Sequence, residues 1–251
     1  MNAETQAALA EFLLGMADDE LILAHRNSEW IGHAPILEED IALANIAQDE
    51  LGHAIVWFGL HQELTGADPD QLAYFRDASG YRNVQLVELP KGDWAVTMLR
   101  QFFFDAYELA LLTRLVESDY QPLADATAKI KQEEIYHFRH TRAWVQRLSQ
   151  GTDESHRRMQ AALGQLWPFT AQLFVSTPTT ELLETAGIIP ASRGVYSAWE
   201  AVVLPYLSEC TLTVPESATM LNAARDQHTA HLANLLADMQ KVAREDPEAI
   251  W

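Results

Sequence analysis

The sequence predicts an all-α fold, and three observations carry that expectation. Glycine and proline are sparse, at 11 and 10 in 251 residues, and they gather at a few breaks. Between the breaks the apolar residues recur at intervals of three and four, the period of one helix face. One segment, Val84–Leu89, has the valines and leucines of a short extended piece, and a single such piece makes no sheet.

The breaks fall at Pro35, Ala67–Pro69, Gly80–Gly92, Pro122, Gly151 and Pro178–Gly194. They leave helices over about residues 4–31, 36–65, 93–120, 122–149, 153–175, 196–209 and 216–245, with Thr213 or Ser217 as the N-cap of the last. The turn Gly32-His33-Ala34-Pro35 joins the first two helices, and Tyr120-Gln121-Pro122 joins the third and fourth. Short connections make antiparallel hairpins, so the chain reads as two hairpins separated by a crossover from about 66 to 92. That is the ferritin-like form of the four-helix bundle. The expectation is a single domain over 1–251, with a core bundle over about 4–149. Additional C-terminal helices over about 153–245 would pack outside it or serve a partner.

Composition narrows the function. An apolar share of 48% excludes a disordered chain. A single cysteine, Cys210, excludes a disulfide scaffold and a thiolate zinc site. Seventeen Lys and Arg against thirty-six Asp and Glu give a formal charge of −19, which disfavours nucleic acid as a partner. The N-terminal stretch lacks the basic region of a signal peptide, and no apolar run is long enough to span a bilayer. A soluble cytoplasmic protein is expected. No Gly-rich phosphate loop or GxSxG elbow is present, so nucleotide and hydrolase chemistry has no support.

The chemistry lies in interruptions of the apolar stripes. The second helix repeats Leu43, Ile46, Glu50, His53, Trp57 and Leu60, and the fourth repeats Ile130, Glu134, His137, Thr141, Trp144 and Leu148. Each is broken by a Glu-x-x-His, whose two side chains share one face a turn apart. The first helix places Glu20 in the stripe Leu9, Leu13, Met16, Leu23. The third places Asp105 among Met98, Phe102, Leu109 and Leu112, with Glu108 as the rival carboxylate. Thirty residues separate Glu20 from Glu50 and twenty-nine separate Asp105 from Glu134, so each hairpin sets its two acids at one height. Four carboxylates and two imidazoles would then converge.

Burying such a group unpaired costs several kcal/mol, and two divalent cations would offset that cost. A Glu from each of two helices plus a Glu-x-x-His from each of two others is the di-iron or di-manganese pattern. Metal candidates are therefore Glu20, Glu50, His53, Asp105, Glu134 and His137. Two readings stay open: a complete ligand set, or a vestigial, metal-free site of satisfied core residues.

Other conspicuous residues have plainer readings. His228 and His231 are expected as exposed helix polarity rather than metal ligands. Phe102-Phe103-Phe104 and the tryptophans Trp30, Trp57, Trp94 and Trp144 are expected as packing. His25, Arg26 and His33 are expected at one bundle end, and Glu38 and Glu39 open a helix where negative charge is favourable.

The blocks Ser28-Glu-Trp-Ile-Gly-His-Ala-Pro35 and Ile41-Ala-Leu-Ala-Asn-Ile-Ala-Gln-Asp-Glu-Leu-Gly-His53 resemble the C subunits of the bacterial phenylacetyl-CoA epoxidase. The likeness continues through Lys131–His137, Leu166–Phe174 and the tail near His228–Gln240. That family is the ring-1,2 monooxygenase of aerobic phenylacetate breakdown. The resemblance implies a structural and assembly subunit, non-catalytic, that pairs with a related A subunit. The A subunit would hold the working di-iron centre and bind phenylacetyl-CoA. Other subunits complete the complex, and a separate flavin and iron–sulfur reductase supplies electrons from NADPH. The C subunits commonly have degraded ligand positions, whereas all six match here, with Asp105 as the one shortened carboxylate. The competing expectations are a chain with its own active di-iron site acting as an oxygenase and, further off, a ferritin-like iron store.

Overall fold

The computed structural model describes residues 1–247 and 249. In chain order its helices are α1 (Ala3–Ser28), α2 (Leu37–Thr65), α3 (Pro69–Tyr74), α4 (Gln85–Glu88), α5 (Trp94–Leu115), α6 (Gln121–Ser149), α7 (Asp153–Leu166), α8 (Pro178–Thr185), α9 (Ser192–Glu209), α10 (Ala230–Met239) and α11 (Lys241–Glu245). Tight 3-10 turns occupy Ala78–Gly80 and Trp167–Phe174. No strand occurs among the described residues, so the chain is all-α, as the apolar period predicts. No described helix is long and apolar enough to cross a membrane. The chain divides into two compact units, Met1–Pro90 with Ala224–Trp251, and Lys91–Ala223.

The first unit is built on the α1–α2 hairpin. Asn2 caps α1 by accepting the Thr5 N–H at 2.8 Å. The turn is held by Asp40, whose carboxylate accepts the N–H groups of Gly32 and Ala34 at 3.1 and 2.9 Å. Gly32 there has φ +79°, a conformation that a side chain would strain. Leu9, Leu13 and Leu23 of α1 and Leu43, Ile46 and Trp57 of α2 are fully buried. Each such side chain stabilises the hairpin by about 1.5–3 kcal/mol.

Behind α1 the crossover and the C-terminal segment close on two buried acids. Asp18 is met by the Arg76 guanidinium and by the Arg82 N–H at 2.8 Å. Asp19 is met by the Val84 N–H at 2.7 Å and by Arg225 at 2.7 Å. Burial pushes the Asp19 carboxyl up to about 6 although Arg225 opposes the shift, and it raises Asp18 as well.

Two expectations fail in this unit for one physical reason. Val84–Leu89 is not extended: Gln85–Glu88 is a single helical turn whose Glu88 is buried. The helix expected over 216–245 forms only from Ala230, capped by Thr229 rather than by Thr213 or Ser217. Upstream, Arg225 reaches Asp19. His228 places Nδ1 3.0 Å from the Glu88 carboxylate and Nε2 3.1 Å from the Tyr81 carbonyl, and the Thr229 N–H donates to Glu88. These tertiary bonds to buried carboxylates outweigh local helix propensity. His228 is consequently no exposed helix residue, whereas His231 is exposed.

The second unit is built on the α5–α6 hairpin. Asp93 caps α5 by accepting the Val96 N–H at 3.1 Å, and Pro122 sits in the first turn of α6, where a missing N–H costs nothing. Phe102, Phe103 and Phe104 are buried. Phe102 stacks on Phe138 of α6 at 5.7 Å, while Phe103 meets Trp167 and Trp199, whose indole N–H donates to the Phe103 carbonyl at 3.1 Å. Trp94 and Trp144 pack edge to face at 5.5 Å. The helix expected over 153–175 changes at Trp167 to a 3-10 run, because Pro168 lacks the N–H that an α-helix interior needs. α8 lies inside a stretch expected to be irregular. Thr177 and Thr180 form a capping box, and Pro178 opens it.

Candidate functional site

The six candidate metal ligands fall three to each unit, and all are buried. In the first unit Glu20 of α1 meets His53 of α2, and Glu50 lies one helical turn before His53. The Nδ1 of His53 lies 3.3 Å from Glu20 Oε1. The side-chain amide of Asn27 donates to both oxygens of Glu50, at 3.1 and 2.9 Å. Among the described residues neither oxygen of Glu20 accepts a hydrogen bond, so the imidazole is the neighbour that offsets its burial.

In the second unit Asp105 of α5 and Glu134 and His137 of α6 come together. The Nδ1 of His137 lies 2.8 Å from Glu134 Oε1 on the same helix. Gln101 donates its amide to Asp105 Oδ1 at 2.7 Å, and Thr141 donates its hydroxyl to Oδ2 at 2.6 Å. Burial, then the Glu134 charge, lifts the Asp105 carboxyl well above the usual carboxylate range, although His137, Thr141 and Gln101 pull the other way. Glu108, the rival acid, is also buried. Asp105 is bonded to α6 through Thr141.

The two halves follow one plan. A lone acid and a Glu-x-x-His share a helix pair, and a neutral amide or hydroxyl saturates one carboxylate. Sequence reading missed Asn27 and Gln101, and found Thr141 as a stripe position without its role. The signal was in the spacing, since Asn27 continues the Glu20 stripe by seven and Gln101 precedes Asp105 by one turn.

The donor types suit iron or manganese. Within the units their bonded partners are protein groups: the Asn27 amide meets both Glu50 oxygens, Gln101 and Thr141 meet those of Asp105, and the His137 Nδ1 faces Glu134. Among the described residues no group of three or more His, Cys, Asp or Glu is gathered so that it can hold a metal ion. In each unit the buried acids are met by an imidazole, an amide or a hydroxyl.

The remaining candidates are structural where the geometry is clear. Arg26 donates to the Glu88 carbonyl at 2.8 Å and to Glu29 at 2.6 Å. His33 and Glu38 are exposed, while Glu39 is buried.

A solved structure described as protein 19 with aldehyde deformylating oxidase activity, from Synechococcus, matches with a TM-score of 0.54 and 14% identity. The match covers 84% of this chain and 93% of that one. That likeness bears on the fold alone, which is all-α. The C subunit of the 1,2-phenylacetyl-CoA epoxidase of Escherichia coli K12 is 43% identical over 245 residues, 97% of this chain and 99% of that protein. The A subunit of the same bacterium's epoxidase is 25% identical over 151 residues, 60% of this chain and 48% of that protein. The family model described as phenylacetic acid catabolic protein matches residues 1–251. With a full-length family match and a full-length relative above 40% identity, the chain belongs to the phenylacetic acid catabolic protein family.

Proposed function

We propose that the chain is the assembly subunit of a phenylacetyl-CoA epoxidase and pairs with the A subunit without catalysing the reaction itself. The observation that carries this reading is the end-to-end likeness to the C subunit, against a partial and weaker likeness to the A subunit. The bonds made by two of the six buried residues support it, since Glu50 and Asp105 are each met by amide or hydroxyl donors of the protein. In this reading the thioester substrate, O₂ and electrons from a flavin and iron–sulfur reductase are handled by the other subunits. Glu20, Glu50 and His53 serve the first hairpin, and Asp105, Glu134 and His137 the second, as buried polar groups within each.

The test is iron and manganese per chain by elemental mass spectrometry after anaerobic iron loading, in wild type and in a Glu50→Ala/His137→Ala variant. The expected result is a content near zero in both, with wild type still binding the A subunit. Near two metals per wild-type chain, lost in the variant, would overturn the non-catalytic reading in favour of an oxygenase with its own di-metal centre.

A further inference from the structure

The solvent-facing side of α2 has a composition that solvent does not explain. Leu37, Ile41, Ala44, Gln48, Leu51 and Ile55 follow one another at steps of four, three, four, three and four, the seam pattern of a helix packed against another helix. This seam lies opposite the buried stripe that holds Glu50 and His53. Leu37, Ile41 and Ile55 are 69%, 55% and 71% exposed. Gly52 and Gly59, seven residues apart on the same side, have nothing within 4 Å of where a Cβ would stand. Each costs the helix interior about 1 kcal/mol relative to alanine, so two of them on one face favour a close-approaching neighbour rather than an isolated helix. A helix that is apolar on both faces is normally covered on both. Exposed Ile31 and Ile36 in the preceding turn extend the patch.

The charges choose between occupants. α2 carries no Lys or Arg, and Glu38, Asp49 and Glu63 border the seam. Two copies of a chain of charge −19 would bring those acids against their own equivalents. A different chain with basic residues around an apolar helix face would complement them. We infer that this side of α2 is the docking surface for such a chain, the A subunit of the same complex. This inference rests on the assembly reading above and adds where the partner sits. The seam, ~40 Å by ~10 Å, supplies on the order of 400 Å². A standard interface takes about 800 Å² per partner, so the apolar turn before α2 belongs to the contact as well.

The experiment uses the full chain and the A subunit of the same organism, with affinity and mass read by sedimentation and calorimetry. Ile55→Glu is expected to weaken binding about 100-fold. Its unfolding midpoint should match wild type, while Arg139→Glu on the outer face of α6 binds as wild type does. Added salt should weaken the wild-type complex, as opposite charges across a rim require; a self-dimer held by this face would instead tighten. Undiminished binding by Ile55→Glu overturns the docking face and leaves the assembly reading standing. Failure of wild type to bind that partner at all overturns both. A wild-type homodimer that Ile55→Glu breaks, with the A subunit binding either form equally, assigns the face to a second copy and overturns the inference.

Discussion

The two units hold the same kind of hairpin and finish it differently. α2 and α6 are both 29 residues long, and each carries a Glu-x-x-His on its buried side. Outward, α6 shows Lys129, Glu133, Arg139 and Arg142, the ordinary charged surface of a solvated helix, while α2 shows Ile41, Leu51 and Ile55. The supports behind the hairpins differ too. The first unit backs α1 with buried ions, Asp18 on Arg76 and Asp19 on Arg225. The second backs α5 with an aromatic cluster of Phe103, Trp167, Trp199 and Phe174. The inner faces match and the outer faces do not, and the docking surface inferred above lies on the one that is apolar.

The comparison breaks first on the inner and outer faces of α2. Trp57→Ala should cost about 3–5 kcal/mol of unfolding free energy, because the ring is fully buried and leaves a cavity. Ile55→Ser, two residues away on the outer face, should stay within about 0.5 kcal/mol. Denaturant titration of the two variants checks this, and equal losses would mean that the outer face is packed within the chain itself.

The next effect concerns the amides and hydroxyls that meet the buried carboxylates. Asn27→Leu removes two hydrogen bonds to buried Glu50, and Thr141→Val removes one from Asp105. Losses of about 2 and about 1 kcal/mol are expected in metal-free protein. Indifference of either variant would show that something other than the amide or hydroxyl satisfies that carboxylate.

The smallest effect is a pH dependence confined to the first unit. Both nitrogens of His228 face acceptors, the Glu88 carboxylate and the Tyr81 carbonyl. Burial alone would depress its pKa, but the bonds to Glu88 and Tyr81, then the Glu88 and Asp18 charges, raise it above 6.5. The folded form therefore holds the extra proton more tightly. The stability that His228 adds is complete below pH 6.5 and fades as the pH rises through the higher folded value. Burial likewise keeps the Asp19 proton up to about 6, so ionising it between about 4 and 6 weakens the fold in the same direction. Amide hydrogen exchange across α10 should speed up above pH 6.5 beyond its intrinsic rise in wild type, and His228→Gln should show no such excess, with a total effect of about 1 kcal/mol.

Much of this could be read from residue order. The helical period is written into every turn of the chain, so the two hairpins, their turns at Gly32–Pro35 and Tyr120–Pro122, and the shared burial of Glu50 with His53 and Glu134 with His137 follow from spacing alone. The amides were harder, because Asn27 and Gln101 look like any polar residue until the carboxylates they serve are placed beside them. The C-terminal segment was legible only from Ala230 on: upstream, Arg225, His228 and Thr229 spend their bonding groups on Asp19 and Glu88, far away in sequence.

Sequence by itself determined the fold class, the hairpins and the three acid–imidazole positions contributed by each, because a helix fixes which residues share a face. Tertiary structure decided how those acids are satisfied, where the last helix begins, and that the outer side of α2 remains apolar and uncovered. Those outcomes depend on which distant groups compete for a buried charge or a bare surface, and local spacing carries no record of that competition.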